Sequence, residues 1–70
     1  MTYWIKLTYE RNTYVIDLDR VTAFAYVPNA RLSFTLLDGN TTIVVNQQSD
    51  PETYQMILDY VEKRTGFLLP

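Results

Sequence analysis

From residue 3 to residue 46, apolar side chains recur at every second position, and that period decides most of what this chain can become. Tyr3, Ile5, Leu7 and Tyr9 alternate with other residues. So do Tyr14, Ile16 and Leu18, then Val21, Ala23, Ala25 and Val27, then Leu32, Phe34 and Leu36. Successive side chains of a strand point to opposite faces, so this pattern predicts a sheet with one covered face. "TTIVV" at 41–45 supplies a fifth strand. Arg11-Asn12, Asp19-Arg20, Pro28-Asn29 and Asp38-Gly39 are the expected turns, and Asp-Gly suits the positive φ values of a type I′ hairpin.

If every connection is a two-residue loop, Ile16 lies opposite Leu7 and Ala23, Ala23 opposite Phe34, and Phe34 opposite Ile43. Directly opposed side chains share a face. One face then collects Ile5, Leu7, Tyr9, Tyr14, Ile16, Leu18, Val21, Ala23, Ala25, Leu32, Phe34, Leu36, Ile43 and Val45. A slip of one residue at any turn sends a whole strand's apolar set to the other side.

After Asn46 the period changes to that of an amphipathic helix, with Tyr54, Ile57, Leu58 and Val61 at i, i+3, i+4 and i+7. Asp50 can cap it, Pro51 suits its first position and Glu52 favours the positive end of the helix dipole. Lys63 and Arg64 suit the other end, and Gly66 can close the helix with Phe67 folded back toward Val61. The predicted span is about 51 to 65. Met56 and Tyr60 fall on the helix flank, and the apolar "FLLP" at 67–70 should pack on its own domain or a partner. The fold class is α+β: a single domain, 1–70, holding a five-stranded antiparallel β-meander with one C-terminal α-helix packed on one face, nearest the small Ala23 and Ala25.

Seventy residues hide only about 60% of the unfolded chain's surface, leaving a margin of roughly 3–5 kcal/mol from one core. Disulfides, a structural metal or association usually support such a chain. With no Cys and no His, association is the route left open. The net charge of −2, with six basic residues scattered along the chain, provides no footprint for a phosphate backbone, so nucleic acid is disfavoured as a partner. No apolar run approaches the roughly 18 residues of a membrane span and the N-terminus alternates, so the expected location is cytoplasmic, away from the membrane. In that setting the acceptor pattern Asn40-Thr41-Thr42 carries no glycan.

By the same register the uncovered face carries Trp4, Val15, Phe24, Tyr26 and Val44 among polar side chains. Val15, Phe24, Ser33 and Val44 form one row across the sheet, flanked by Trp4 and Tyr26. An apolar band of that kind marks a contact surface, although single apolar residues on an exposed sheet are also ordinary. Lys6 and Asp17 form an expected cross-strand pair, and Tyr26 is expected beside Arg31.

Without His or Cys the chain lacks Ser-His, Cys-His and thiolate nucleophiles, and no catalytic residue, cofactor or metal ligand is assigned. The best carboxylate pair is Asp17 and Asp19, on one face of a strand at i and i+2, a spacing suited to a hard cation or to acid and base. A salt link for Asp17 and a turn role for Asp19 are the structural readings of the same residues.

The order "WIKLT", "YVIDLDRV", "LSFTLLDGN" and an acidic-capped terminal helix resembles the FlbD-like family of very short bacterial flagellar proteins, and also uncharacterised β-meander-plus-helix proteins of cyanobacteria. The resemblance spans nearly the whole chain. It implies a flagellar regulatory role and carries over no catalytic residue, and the basic turns expected of that family are missing.

The functional expectation is a small non-enzymatic protein-interaction module that self-associates, with a dimer favoured, through the uncovered sheet face or an edge strand. An unidentified protein is the other partner considered. The alternative is a module binding single-stranded nucleic acid or a small aromatic ligand on that face, with aromatics as stacking platforms.

Overall fold

The computed structural model describes residues 2–69. Strands β1 (Trp4–Tyr9) and β2 (Asn12–Asp17) are followed by a single 3-10 turn, Leu18–Arg20. Strands β3 (Phe24–Val27), β4 (Arg31–Thr35) and β5 (Thr42–Asn46) come next, and helix α1 (Pro51–Thr65) ends the fold. Five antiparallel strands and a C-terminal helix make the α+β class expected. The meander, however, is divided into a two-stranded sheet, β1-β2, and a three-stranded sheet, β3-β4-β5.

The hairpin β1-β2 turns at Glu10-Arg11, one residue earlier than Arg11-Asn12. Both residues take positive φ, 49° and 70°, the backbone of a type I′ turn without glycine. Ile5 therefore faces Ile16 and Leu7 faces Tyr14. The register moves by two residues, so every side chain keeps its expected face. Lys6 meets Val15 and Asp17 meets Trp4, which removes the expected Lys6 to Asp17 pair.

Asp17 ends the sheet. Its Oδ1 accepts from the backbone N–H of Tyr3 (2.9 Å) and of Asp19 (3.0 Å), and the latter bond starts the 3-10 turn. Leu18, fully buried, donates its N–H to the Tyr3 carbonyl at 2.8 Å. The chain leaves β2 downward into the core here, so β2 and β3 do not pair. An Asp side chain that satisfies its own downstream backbone is the physical reason: it offers the chain a turn in place of a ladder.

At β3 the parity inverts. Phe24 lies opposite Phe34 and Tyr26 opposite Leu32, whereas a two-residue loop would have set Ala23 against Phe34. Pro28-Asn29-Ala30 forms a three-residue loop, with φ of 74° at Asn29 and 55° at Ala30. Holding an alanine in the left-handed region costs about 1–2 kcal/mol. Burying an aromatic side chain fully is worth about 1.5–3 kcal/mol, so two half-buried aromatics in place of two alanines offset the strain. Ala23 and Ala25 are exposed as a result, and the Phe24 ring sits 5.5 Å from Phe34 and 5.9 Å from Tyr60. Tyr26, facing Leu32, is not beside Arg31, whose partner is Val27.

The hairpin β4-β5 keeps the expected register, Phe34 opposite Ile43, with a different turn. Gly39 donates to the Leu36 carbonyl (3.0 Å) and Leu36 to that of Thr41 (2.9 Å), closing a longer loop in which only Gly39 has positive φ. Asp38 accepts from the N–H groups of Asn40 and Thr41 (2.9 Å each) and from the Thr41 hydroxyl (2.7 Å).

Helix α1 follows its sequence signals closely. Asp50 caps Thr53 N–H, Pro51 opens the helix, and Gly66 closes it at φ 80°. Tyr54, Ile57 and Val61 are buried in one cluster with Ile5, Leu32 and Ile43 of the two sheets and Leu18 of the turn between them, so one core spans the two sheets. Tyr60, expected on the flank, is buried as well, edge-on to Tyr3 at 5.0 Å. Phe67 does not fold back on Val61: it is 73% exposed and Leu68 76%, while Leu69 packs on the core. Pro70 lies outside the described residues.

Candidate interaction surfaces

The five residues expected to share one surface fall in three places. Trp4 and Val15 lie on the outer face of β1-β2, 58% and 63% exposed, and share a shallow hollow with Leu37, Asp17 and Arg20. Val44 is half-buried on the outer face of the other sheet, opposite Ser33. Phe24 and Tyr26 point inward and pack against the core. The apolar row Val15-Phe24-Ser33-Val44 is therefore not formed. Of the three aromatics expected on that face only Trp4 is there, so no platform for stacked bases is assembled.

The division of the meander creates a feature that the row did not contain, an open strand edge at β3. Its unpaired groups follow from the ladder. Leu36 bonds to Thr41 and Gln47 to Ala30, so the even-numbered residues of β4 direct their backbone groups to β5 and the odd-numbered ones to β3. Arg31 and Ser33 thus bond to Val27 and Ala25. By alternation the N–H and C=O groups of Phe24 and Tyr26 point away from the sheet. No backbone hydrogen bond outside the helix and strand ladders reaches Thr22 or Ala23 among the described residues.

Natural edges are commonly blunted with charge, proline or a bulge. Residues 21–27, Val-Thr-Ala-Phe-Ala-Tyr-Val, contain none of these, and no ionisable side chain except the phenol of Tyr26 occurs from Val21 to Ala30. This uncharged run, bounded by Arg20 and Arg31, was the sequence signal that could have found the edge.

Beside the edge lies a cleft of about 350 Å³ between residues 21–24, the last turns of α1 and the segment after it. Val21, Ala23, Phe24, Val61, Phe67 and Leu69 line it with apolar surface, and Arg64 stands among them. Its far wall is fixed by Asp19. The Tyr60 hydroxyl donates to Asp19 Oδ1 at 2.5 Å, and Arg64 Nη2 to Oδ2 at 3.2 Å, with the guanidinium 5.6 Å from the centre of the Tyr60 ring. Burial, then the hydrogen bond to Asp19 and its charge, push the Tyr60 phenol up to about 12, against the opposing pull of Arg64. Burial and then the nearby Tyr26 also raise the phenol of Tyr54.

Asp17 and Asp19 are thus both engaged in holding the fold, one by backbone N–H groups and the other by Tyr60 and Arg64. Among the described residues no three His, Cys, Asp or Glu side chains are grouped as a metal site, and no helix is long and apolar enough to cross a membrane. No protein-family model, curated protein or solved structure matches the chain, so the resemblance to the FlbD-like family gains no support.

Proposed function

We propose that this protein is a non-enzymatic interaction module that self-associates by pairing the free edge of β3 with the same edge of a second copy. The observation that carries this reading is the unblunted edge itself: backbone groups of Phe24 and Tyr26 directed outward from an uncharged segment. An antiparallel pair of identical strands is self-complementary about a twofold axis, and it joins two three-stranded sheets into one of six. A chain of this size gains what its small core lacks, namely further apolar burial and an edge removed from water.

Ala25 is exposed on the outer face of β3, where a lysine is solvated in the single copy. With Ala25 or Phe24 on the twofold axis, the two lysines would stand directly or diagonally across the paired edge from each other, and like charges there oppose pairing. Sedimentation equilibrium at about tens of micromolar, a range that covers ordinary dimer affinities, should show a dimer for the wild type and a monomer for Ala25→Lys. An equimolar mixture of Ala25→Lys and Ala25→Glu should regain the dimer. A monomeric wild type sinks the reading.

A further inference from the structure

We infer that Asp38-Gly39 is a site of spontaneous backbone modification, the isomerisation of aspartate to isoaspartate, and that Thr41 guards it in the folded chain. The chemistry needs only the chain and water. The backbone nitrogen of Gly39 attacks Cγ of Asp38, an N–C bond forms, and the carboxyl hydroxyl leaves with the amide proton as one water molecule. The resulting five-membered imide then takes up one water. Opening at Cγ restores aspartate, whereas opening at the main-chain carbonyl leaves the chain running through Cγ, with its mass unchanged. A glycine after the aspartate leaves the attack unhindered, and Asp38 is the one Asp or Asn of the chain that glycine follows.

Bulk does not shield the dipeptide. Asp38 and Gly39 are exposed, and apart from its chain neighbours no atom of the described residues lies within 4 Å of where a Gly39 side chain would begin. The hydrogen bonds of the loop oppose the reaction instead. Attack requires Cγ to swing back onto the Gly39 nitrogen, but the carboxylate is held forward. Its Oδ1 accepts from the N–H groups of Asn40 and Thr41 at 2.9 Å each, and its Oδ2 from the Thr41 hydroxyl at 2.7 Å. The Gly39 N–H is itself donated to the Leu36 carbonyl at 3.0 Å. The bonds to the carboxylate also favour its ionised form, the Thr41 backbone most and the Thr41 hydroxyl next, and only the protonated carboxyl can release its hydroxyl as water. Of these donors, the Thr41 hydroxyl is the one that a substitution removes without altering the backbone.

The test follows isoaspartate at position 38 by peptide mapping of the full chain, incubated at about pH 5 in buffer and in guanidinium chloride. Wild type should isomerise about tenfold or more slowly in buffer than in denaturant, where the loop bonds are gone. Thr41→Val should react about threefold or more faster than wild type in buffer, and at the wild-type rate in denaturant. Thr41→Ala removes the same hydroxyl with a smaller side chain and should behave likewise, whereas Thr41→Ser keeps the hydroxyl and should match wild type. Circular dichroism of each variant separates a rate gained in the folded chain from one gained by unfolding. A wild type as fast in buffer as in denaturant overturns the guarding, and folded Thr41→Val and Thr41→Ala as slow as wild type overturn the role of Thr41. No isoaspartate in denaturant removes the site itself. These outcomes do not depend on whether the β3 edge pairs.

Discussion

Tyr60 spends its hydroxyl on Asp19 and its ring on Tyr3, Phe24 and the Arg64 guanidinium, so one side chain ties the helix to the joint between the sheets. Tyr60→Phe keeps the ring and loses the bond to a carboxylate, an interaction worth about 1.5–3 kcal/mol, part of which Arg64 retains for Asp19. Urea unfolding should therefore show a loss of about 1–2 kcal/mol. The pH dependence has a definite sign. The phenol ionises near 12 when folded, against its ordinary 10.0, so its contribution is complete below pH 10 and is lost as pH rises toward 12. The melting temperature of the wild type should fall more steeply through that window than that of Tyr60→Phe. Equal slopes would show that Tyr60 is solvated. Asp38 behaves oppositely. Hydrogen bonds from the Thr41 backbone, the Thr41 hydroxyl and the Asn40 backbone hold its pKa below the ordinary 3.8, so its support for the turn is present above that value and lost on further acidification.

At the scale of elements, the turns hold the local strain. Glu10 and Arg11 occupy two successive left-handed positions that favour Asn and Gly. Glu10→Asn with Arg11→Gly should stabilise the protein by about 1–2 kcal/mol, raising the melting temperature by several degrees at the roughly 4–8 °C per kcal/mol typical of a chain this small. No rise on scanning calorimetry would mean that the long side chains make compensating contacts. The sequence pointed to a type I′ turn at Asp38-Gly39, yet the strained pair is Glu10-Arg11. Dipeptide preference is weak beside register, and in β1-β2 the register is set by Ile5 against Ile16 and Leu18 reaching the core. Helix α1 was readable to its ends because each signal, Asp50, Pro51, Gly66, acts on its own neighbours. Asp50→Ala should cost about 1 kcal/mol by urea unfolding, and an unchanged midpoint would remove its capping role.

At the scale of the whole molecule, edge pairing as proposed would link stability to concentration. A protein that pairs through β3 unfolds from the dimer at high concentration and from the monomer at low, so its melting temperature should rise with chain concentration. Ala25→Lys should flatten that dependence to zero, and a wild type that melts at one temperature across a hundredfold dilution would contradict edge pairing. Of the surface foreseen from sequence, Trp4 and Val15 are together and exposed, whereas Phe24 and Tyr26 turned inward with the three-residue loop at Pro28-Asn29-Ala30.

Alternation and the later change of period were enough to settle the α+β class, the five strands, the helix and the inward sides of β1, β2, β4 and β5, because side-chain direction along one element depends only on that element's backbone. Where one element stops pairing with the next is decided elsewhere. Leu18 sinking into a shared core, Asp17 capturing the backbone of Tyr3 and Asp19, and two aromatics outweighing two alanines are contests between distant groups. Their outcome split the sheet, inverted β3 and left its edge open.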